Sequence, residues 1–188
     1  MRTSIARFIS IAGHPFVLVP LLIFLPRYQS DSNGAIRVAL LFAAIVFFPM
    51  SILIWRSVAS GRWSTVDASD KDNRPLLYKV SIAVTFAAAA YFHFVEPSPS
   101  IVRGSIVVAG MLFLAAVLNR RIKISLHLAF ACFCGILLIR VRLSYGLPML
   151  LLVPALIWSR IVLSRHVFSE ALGGILMGTL AAACFIWE

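Results

Sequence analysis

Seven apolar runs, each close to the length of a membrane helix, dominate this sequence. They cover roughly residues 8–26, 35–56, 76–95, 101–118, 124–139, 145–163 and 169–187. A helix needs about 20 mostly apolar residues to cross the hydrocarbon of a bilayer. The pattern therefore predicts an all-α fold, a polytopic membrane helical bundle with about six to seven transmembrane helices.

Composition also favours a membrane protein over a soluble one. Hydrophobic residues make up 61% of the 188 residues and charged residues only 13%, whereas about a quarter of the residues of a soluble domain are charged. Little chain lies between the runs, which leaves no room for a separate soluble module. We expect residues 1–188 to form a single integral membrane domain, multi-pass and in the cell membrane.

The basic residues outnumber the acidic ones, and the formal net charge is +10. Such a charge can serve nucleic-acid binding, but here the basic residues stand singly or in short groups between apolar runs. That distribution is typical of topology signals and of contacts with phosphate-bearing lipid head groups. We therefore exclude nucleic acid as a partner and expect the bilayer and its lipids instead.

Three polar segments separate the runs: 57–75, 119–127 and 159–170. Two predicted crossings lie between each segment and the next, so all three are expected on one membrane face. Of the 17 lysines and arginines, twelve fall on that face, which favours the cytoplasm. Five of the twelve belong to the motifs described below, and without them the two faces are too similar for the side to be decided.

The third polar segment, SRIVLSRHVFSE, contains His166 and Glu170 four residues apart, on one face of a helix. A carboxylate in that position fixes the proton on one imidazole nitrogen and leaves the other nitrogen as a nucleophile or base. Arg160 ends the preceding apolar run, and the planar fork of arginine suits bidentate phosphate binding.

The other two segments add a second histidine and more cations. His127 follows Lys123 and Ser125 in the second segment, and Lys71 and Arg74 lie in the first. One histidine can attack phosphorus while another protonates the leaving oxygen. Fixed cations and helix N-termini can stabilise the charge on the transferred group. The residues thus favour phosphoryl transfer through a phosphohistidine, with no metal and no cofactor.

The order and spacing of these residues resemble the type 2 phosphatidic acid phosphatase superfamily of membrane lipid phosphatases. Residues 159–170 match its third signature: Ser-Arg, five residues, His, three residues and an acid. Residues 123–127, KISLH, resemble the second signature in its Lys-Ile-Ser-x-His branch, and residues 67–75 resemble the end of the first. The resemblance covers roughly residues 65–187.

The resemblance implies a role for each matched residue. His166 would be the nucleophile, Glu170 its orienting partner, and His127 the acid that protonates the leaving oxygen. The implied phosphate-binding residues are Arg74, Arg160, Ser125, Lys71 and Lys123. The implied reaction is hydrolysis of a lipid phosphate, such as phosphatidic acid or phosphatidylglycerol phosphate, or of a polyprenyl phosphate or diphosphate.

Three positions depart from the family's pattern. Asp67 stands where the first signature has its lysine, so Lys71 or Lys123 would have to supply that cation. Leu126 replaces the glycine before the second histidine, and Glu170 replaces the usual aspartate. A backbone with the Cβ of Leu126 approaches a phosphate less closely than a glycine does, so the alternative that these departures leave open is a degenerate or differently tuned site.

Other functions fit parts of the sequence. The carboxylates of Asp67, Asp70 and Asp72 could hold Mg²⁺ on a diphosphate, as in a magnesium-dependent prenyltransferase, although that class needs a second aspartate cluster. A non-catalytic membrane protein that retains the fold is a further alternative. A phosphohistidine enzyme could also pass its phosphate to an alcohol instead of water. The oligomeric state stays open.

Two smaller features carry predictions of their own. Gly174 and Gly178 have the small-xxx-small spacing that allows helices to approach closely, and we expect them to pack within the bundle rather than to form a dimer contact. His14 is expected on the same membrane face as the three polar segments. Because it precedes Pro15, it is interpreted as a residue that starts a helix, in preference to a supporting role in the site.

Overall fold

The computed structural model describes residues 2–28, 30–63 and 74–187. Eight helices and no strand occur within these ranges, so the predicted all-α class is confirmed. The helices are α1 (Arg2–Ala12), α2 (Pro15–Tyr28), α3 (Ser32–Ala59), α4 (Arg74–Phe94), α5 (Pro99–Leu118), α6 (Leu126–Val141), α7 (Leu143–Val162) and α8 (Phe168–Ile186). Within α3, Ala43–Phe47 form one turn of π-helix.

Five of these helices, α3, α4, α5, α7 and α8, are long and apolar enough to cross a membrane. They correspond to the second, third, fourth, sixth and seventh apolar runs. The protein is thus an integral membrane protein. The hydropathy of those runs was sufficient to locate their helices because a span needs a long continuous apolar stretch.

The first predicted span, 8–26, is not one straight helix. It is shared between α1 and α2, which are bent by 41° at the break, and only the pair together has the length and apolarity of a span. Pro15 begins α2, where its missing N–H costs nothing. A residue before proline is disfavoured in the α conformation, so α1 ends before His14. The apolar run continues across this break, which is why hydropathy does not reveal it.

The fifth predicted span, 124–139, is the short helix α6. Its 16 residues have a length of about 24 Å at 1.5 Å per residue, less than the hydrocarbon thickness of about 30 Å. The described residues therefore contain five candidate spans, or six if the bent pair α1–α2 crosses as one. This number is at or below the lower end of the six to seven that the sequence predicts.

The described chain divides into two compact units, one formed by residues up to Ala39 and from Ile124 onward, the other by Leu40–Lys123. In the second unit, α4 packs along α5 and the π-helical part of α3 packs against α4. The rings of Phe42 and Phe92 are stacked there with centroids 6.4 Å apart. The single domain expected over residues 1–188 stays a prediction.

Helix α6 is the core of the first unit. It packs against α2, α7 and α8, and eleven of its 16 residues are buried. A helix that is apolar on all sides is expected to be surrounded by other helices, which is the case here. Helix α1 packs against α7 instead, with Ala6 and Ser10 on its buried face.

Gly174 and Gly178 set the close approach of α8 to α6. A Cβ on Gly174 would collide with the carbonyl oxygen of Ser125, and a Cβ on Gly178 would collide with the backbone of Ala129. The prediction that these glycines pack within the bundle is confirmed. Because Gly174 lies one turn after Glu170, the same approach brings the start of α6 against the start of α8.

Candidate functional site

A tight turn joins the end of α7 to the start of α8. The carbonyl oxygen of Arg160 accepts hydrogen bonds from the N–H groups of both Arg165 (2.9 Å) and His166 (3.3 Å). The reversal needs Ser164 in the left-handed region, with φ of 53°, a conformation that is uncommon for a residue other than glycine. The turn therefore places His166 directly beside the last turn of α7.

His166 is oriented by Glu170. The imidazole Nδ1 lies 2.9 Å from the carboxylate Oε2 of Glu170, and the side chain of His166 is only 2% exposed. The same Oε2 accepts the backbone N–H of Val167 at 3.3 Å, so Glu170 also caps the start of α8. With the Nδ1 proton donated to the carboxylate, the lone pair of the neutral ring lies on Nε2.

Ser125 connects the second predicted segment to the third. Its backbone N–H donates to the carbonyl oxygen of Glu170 at 3.2 Å. Its side chain is fully buried, and its hydroxyl has no hydrogen-bond partner among the described residues. Buried hydroxyl groups are usually paired, so this one is a candidate donor to a bound group.

His127 lies in the first turn of α6, two residues after Ser125, and is buried. The bond between Ser125 and Glu170 therefore brings the N-terminal ends of α6 and α8 together. A helix N-terminus presents backbone N–H groups and the positive end of the helix dipole to an anion. Two such N-terminal ends are in contact here, and each carries one of the two predicted histidines.

The side chains of Ser159 and Arg160 are held by α1. Arg160 is 2% exposed, and its Nη1 donates to Oγ of Ser10 at 2.7 Å. The hydroxyl of Ser159 donates to the carbonyl oxygen of Ala6 at 2.6 Å. These contacts join residues about 150 positions apart, so the spacing of motifs along the chain does not indicate them. The single polar residue on the buried face of α1, Ser10, was the available signal.

His14 lies between α1 and α2, and its ring is near that of His127. The ring centroids are 4.9 Å apart and the planes are inclined by 84°. The Nδ1 of His14 also accepts the backbone N–H of Phe16 at 3.1 Å, which caps α2. The interpretation of His14 as the start of a helix is correct but incomplete. A polar side chain beside a proline inside an apolar run was the available sequence signal for its contact with His127.

The remaining predicted residues belong to the second unit or lie outside the described residues. Arg74 is the first residue of α4 in the second unit, where it is buried. Lys123 is half-buried and ends the same unit. Their participation in a site with His127 and His166 stays a prediction. Lys71 lies outside the described residues, as do the carboxylates of Asp67, Asp70 and Asp72.

The first unit contains groups that suit an anionic substrate and proton transfer, and backbone hydrogen bonds join the segments that carry them. These groups are an imidazole oriented by a carboxylate, a second buried imidazole, a buried guanidinium, a buried hydroxyl and two helix N-termini. Such groups can bind a phosphate, attack it and protonate its leaving oxygen. No protein-family model, curated protein or solved structure matches the chain.

Proposed function

We propose that the protein is a lipid phosphatase of the cell membrane that hydrolyses a lipid phosphate, or a polyprenyl phosphate or diphosphate, through a phosphohistidine. The observation that carries the proposal is the contact between Ser125 and Glu170. It joins the start of α6, with His127, to the start of α8, with the pair of His166 and Glu170. The resemblance of the three signatures to the type 2 phosphatidic acid phosphatase superfamily agrees with this arrangement.

In the first step, the lone pair on Nε2 of His166 attacks phosphorus and forms a P–N bond. The bond between phosphorus and the leaving oxygen breaks, and its electron pair stays on that oxygen. His127 protonates the oxygen, so the leaving group departs as an alcohol, or as a lipid monophosphate when the substrate is a diphosphate. Glu170 stabilises the positive charge that develops on the imidazole of His166.

In the second step, water replaces the leaving group. The neutral imidazole of His127 takes a proton from the water while the oxygen of that water attacks phosphorus. The P–N bond breaks, its electron pair returns to Nε2 of His166, and inorganic phosphate is released. His127 is then protonated again and ready for the next substrate.

Charge on the transferred group would be balanced by fixed donors. The Nη1 of Arg160 donates to Oγ of Ser10, a bond that orients the guanidinium, and the planar fork of such a group suits a phosphate. The buried hydroxyl of Ser125 would donate another hydrogen bond. Arg74, Lys71 and Lys123 are proposed as further cations. Because the spans adjoin lipid, an amphiphilic phosphate could approach with its tails in the bilayer.

A phosphate-release assay in detergent tests the proposal. The substrates are phosphatidic acid, phosphatidylglycerol phosphate and undecaprenyl diphosphate, each with and without a chelator of divalent cations. We expect release from at least one substrate, unchanged by the chelator, and a loss of at least about 100-fold in His166→Ala. His93→Ala is the matched control, since His93 is an exposed histidine near the end of α4.

Each alternative has its own outcome in this assay. Release that stops with the chelator would favour the magnesium-dependent reaction that the aspartates of residues 67–72 allow. No release from any of the three lipids would favour a non-catalytic protein. Full activity of His166→Ala would exclude the phosphohistidine. Acid-labile phosphate on the peptide that contains His166, trapped from labelled substrate, would identify the intermediate directly.

A further inference from the structure

We propose that His14 is a positioning residue for His127: its ring holds the imidazole of His127 in the orientation that protonates the leaving oxygen. The inference rests on the proposed function and extends it to a residue outside the three signature segments. His14 comes from the break between α1 and α2, whereas His127 lies at the start of α6. The two residues are 113 positions apart in the chain, so only the packing of α2 on α6 brings them together.

The geometry of the two rings supports this role. Their centroids are 4.9 Å apart and their planes are nearly perpendicular, at 84°. In this arrangement the edge of one ring meets the face of the other, which is a preferred geometry for aromatic pairs. A ring held in this way restricts rotation of its neighbour about χ2. A general acid has to point its proton at the leaving oxygen, so restricting that rotation favours proton transfer.

The ring of His14 is itself fixed. Its Nδ1 accepts the N–H of Phe16 at 3.1 Å, and the ring of Phe16 meets it edge to face with centroids 4.8 Å apart. A nitrogen that accepts a hydrogen bond has no proton, so His14 carries its proton on Nε2 and is neutral in this arrangement.

The simpler alternative is that His14 only caps α2. Two substitutions separate the roles. His14→Asn keeps a side-chain acceptor for the N–H of Phe16, since asparagine is a favourable N-cap, but it removes the ring. His14→Phe keeps a ring next to His127 but loses the cap. A capping residue would tolerate asparagine better than phenylalanine, whereas a positioning residue would do the reverse.

The experiment compares two leaving groups in the first turnover. Release of diacylglycerol from phosphatidic acid needs a general acid, because an alkoxide is a poor leaving group. Release of p-nitrophenolate from p-nitrophenyl phosphate does not. We expect His14→Asn to lower the first-turnover rate with phosphatidic acid about 10-fold or more, with KM unchanged. The rate with p-nitrophenyl phosphate should change less than about 3-fold. His14→Phe should retain more of the rate with phosphatidic acid than His14→Asn does.

Several results would overturn the inference. One is a rate for His14→Asn within about 3-fold of the parent protein on phosphatidic acid, and another is an equal loss on both substrates. A third measurement does not depend on activity: the ring signals of His127 in ¹⁵N-histidine NMR spectra should shift in His14→Asn, and unchanged signals would refute the contact. A parent protein that hydrolyses no lipid phosphate would instead refute the proposed function.

Discussion

Alanine at position 174 should separate the two helices that hold the candidate site. The new Cβ would meet the carbonyl oxygen of Ser125 and the Cβ of Leu128, and the backbone oxygen cannot rotate away as a flexible side chain could. Overpacking of this kind costs about 1–3 kcal/mol. Moving α8 away would also weaken the bond from Ser125 to Glu170, a net loss of about 0.5–1.5 kcal/mol. We therefore expect Gly174→Ala to lower the free energy of unfolding by about 1.5–4.5 kcal/mol.

The matched control is Gly110→Ala. Gly110 also lies within a candidate span, α5, but a Cβ there would meet no atom of the described residues within 4 Å, so alanine should be neutral or slightly stabilising. Equilibrium unfolding of both variants in mixed micelles, followed by circular dichroism, gives the comparison. Phosphate release under native conditions should fall in Gly174→Ala and not in Gly110→Ala. Equal stability of the two variants would show that the close approach of α8 to α6 is not what holds the site.

Two further substitutions probe the groups around the proposed phosphate. Glu170→Gln keeps an oxygen for the N–H of Val167 but removes the charge beside His166, so we expect kcat to fall about 100-fold or more with KM little changed; similar kcat values in steady-state assays would contradict this. Ser10→Ala removes the hydroxyl that accepts from the buried Nη1 of Arg160, which costs about 1.5–3 kcal/mol of stability and should raise KM. Ser4→Ala, an exposed position on the same helix, should change neither quantity in unfolding and kinetic measurements.

The helical class and the positions of the five long spans could be read from the sequence, because hydropathy depends only on local composition. The bend at Pro15 and the burial of α6 could not. Apolar residues that face lipid and apolar residues that face protein are chemically alike, so hydropathy gives the length of a run but not its surroundings. Hydropathy therefore does not show that α6 is a short helix surrounded by α2, α7 and α8.

Some contacts of the candidate site could be predicted from the sequence, and others could not. The pair of His166 and Glu170 could be predicted because four residues along a helix return to the same face, and their contact at 2.9 Å agrees with that spacing. The contacts of Ser10 and His14 could not be predicted, since they depend on where α1 and α2 pack against helices from the other end of the chain. Motif spacing describes local geometry and carries no information about such distant neighbours.

The shared carbonyl oxygen of Arg160 has a consequence for how this chain can vary. That oxygen accepts from both Arg165 and His166. The number of residues between Arg160 and His166 therefore fixes where the imidazole lies relative to α7. One inserted residue would displace the imidazole by up to about 3.8 Å, the distance between consecutive Cα atoms, and carry it out of register with its carboxylate. The intervening residues can be substituted as long as residue 164 can adopt a left-handed backbone conformation. Their number cannot change without moving His166.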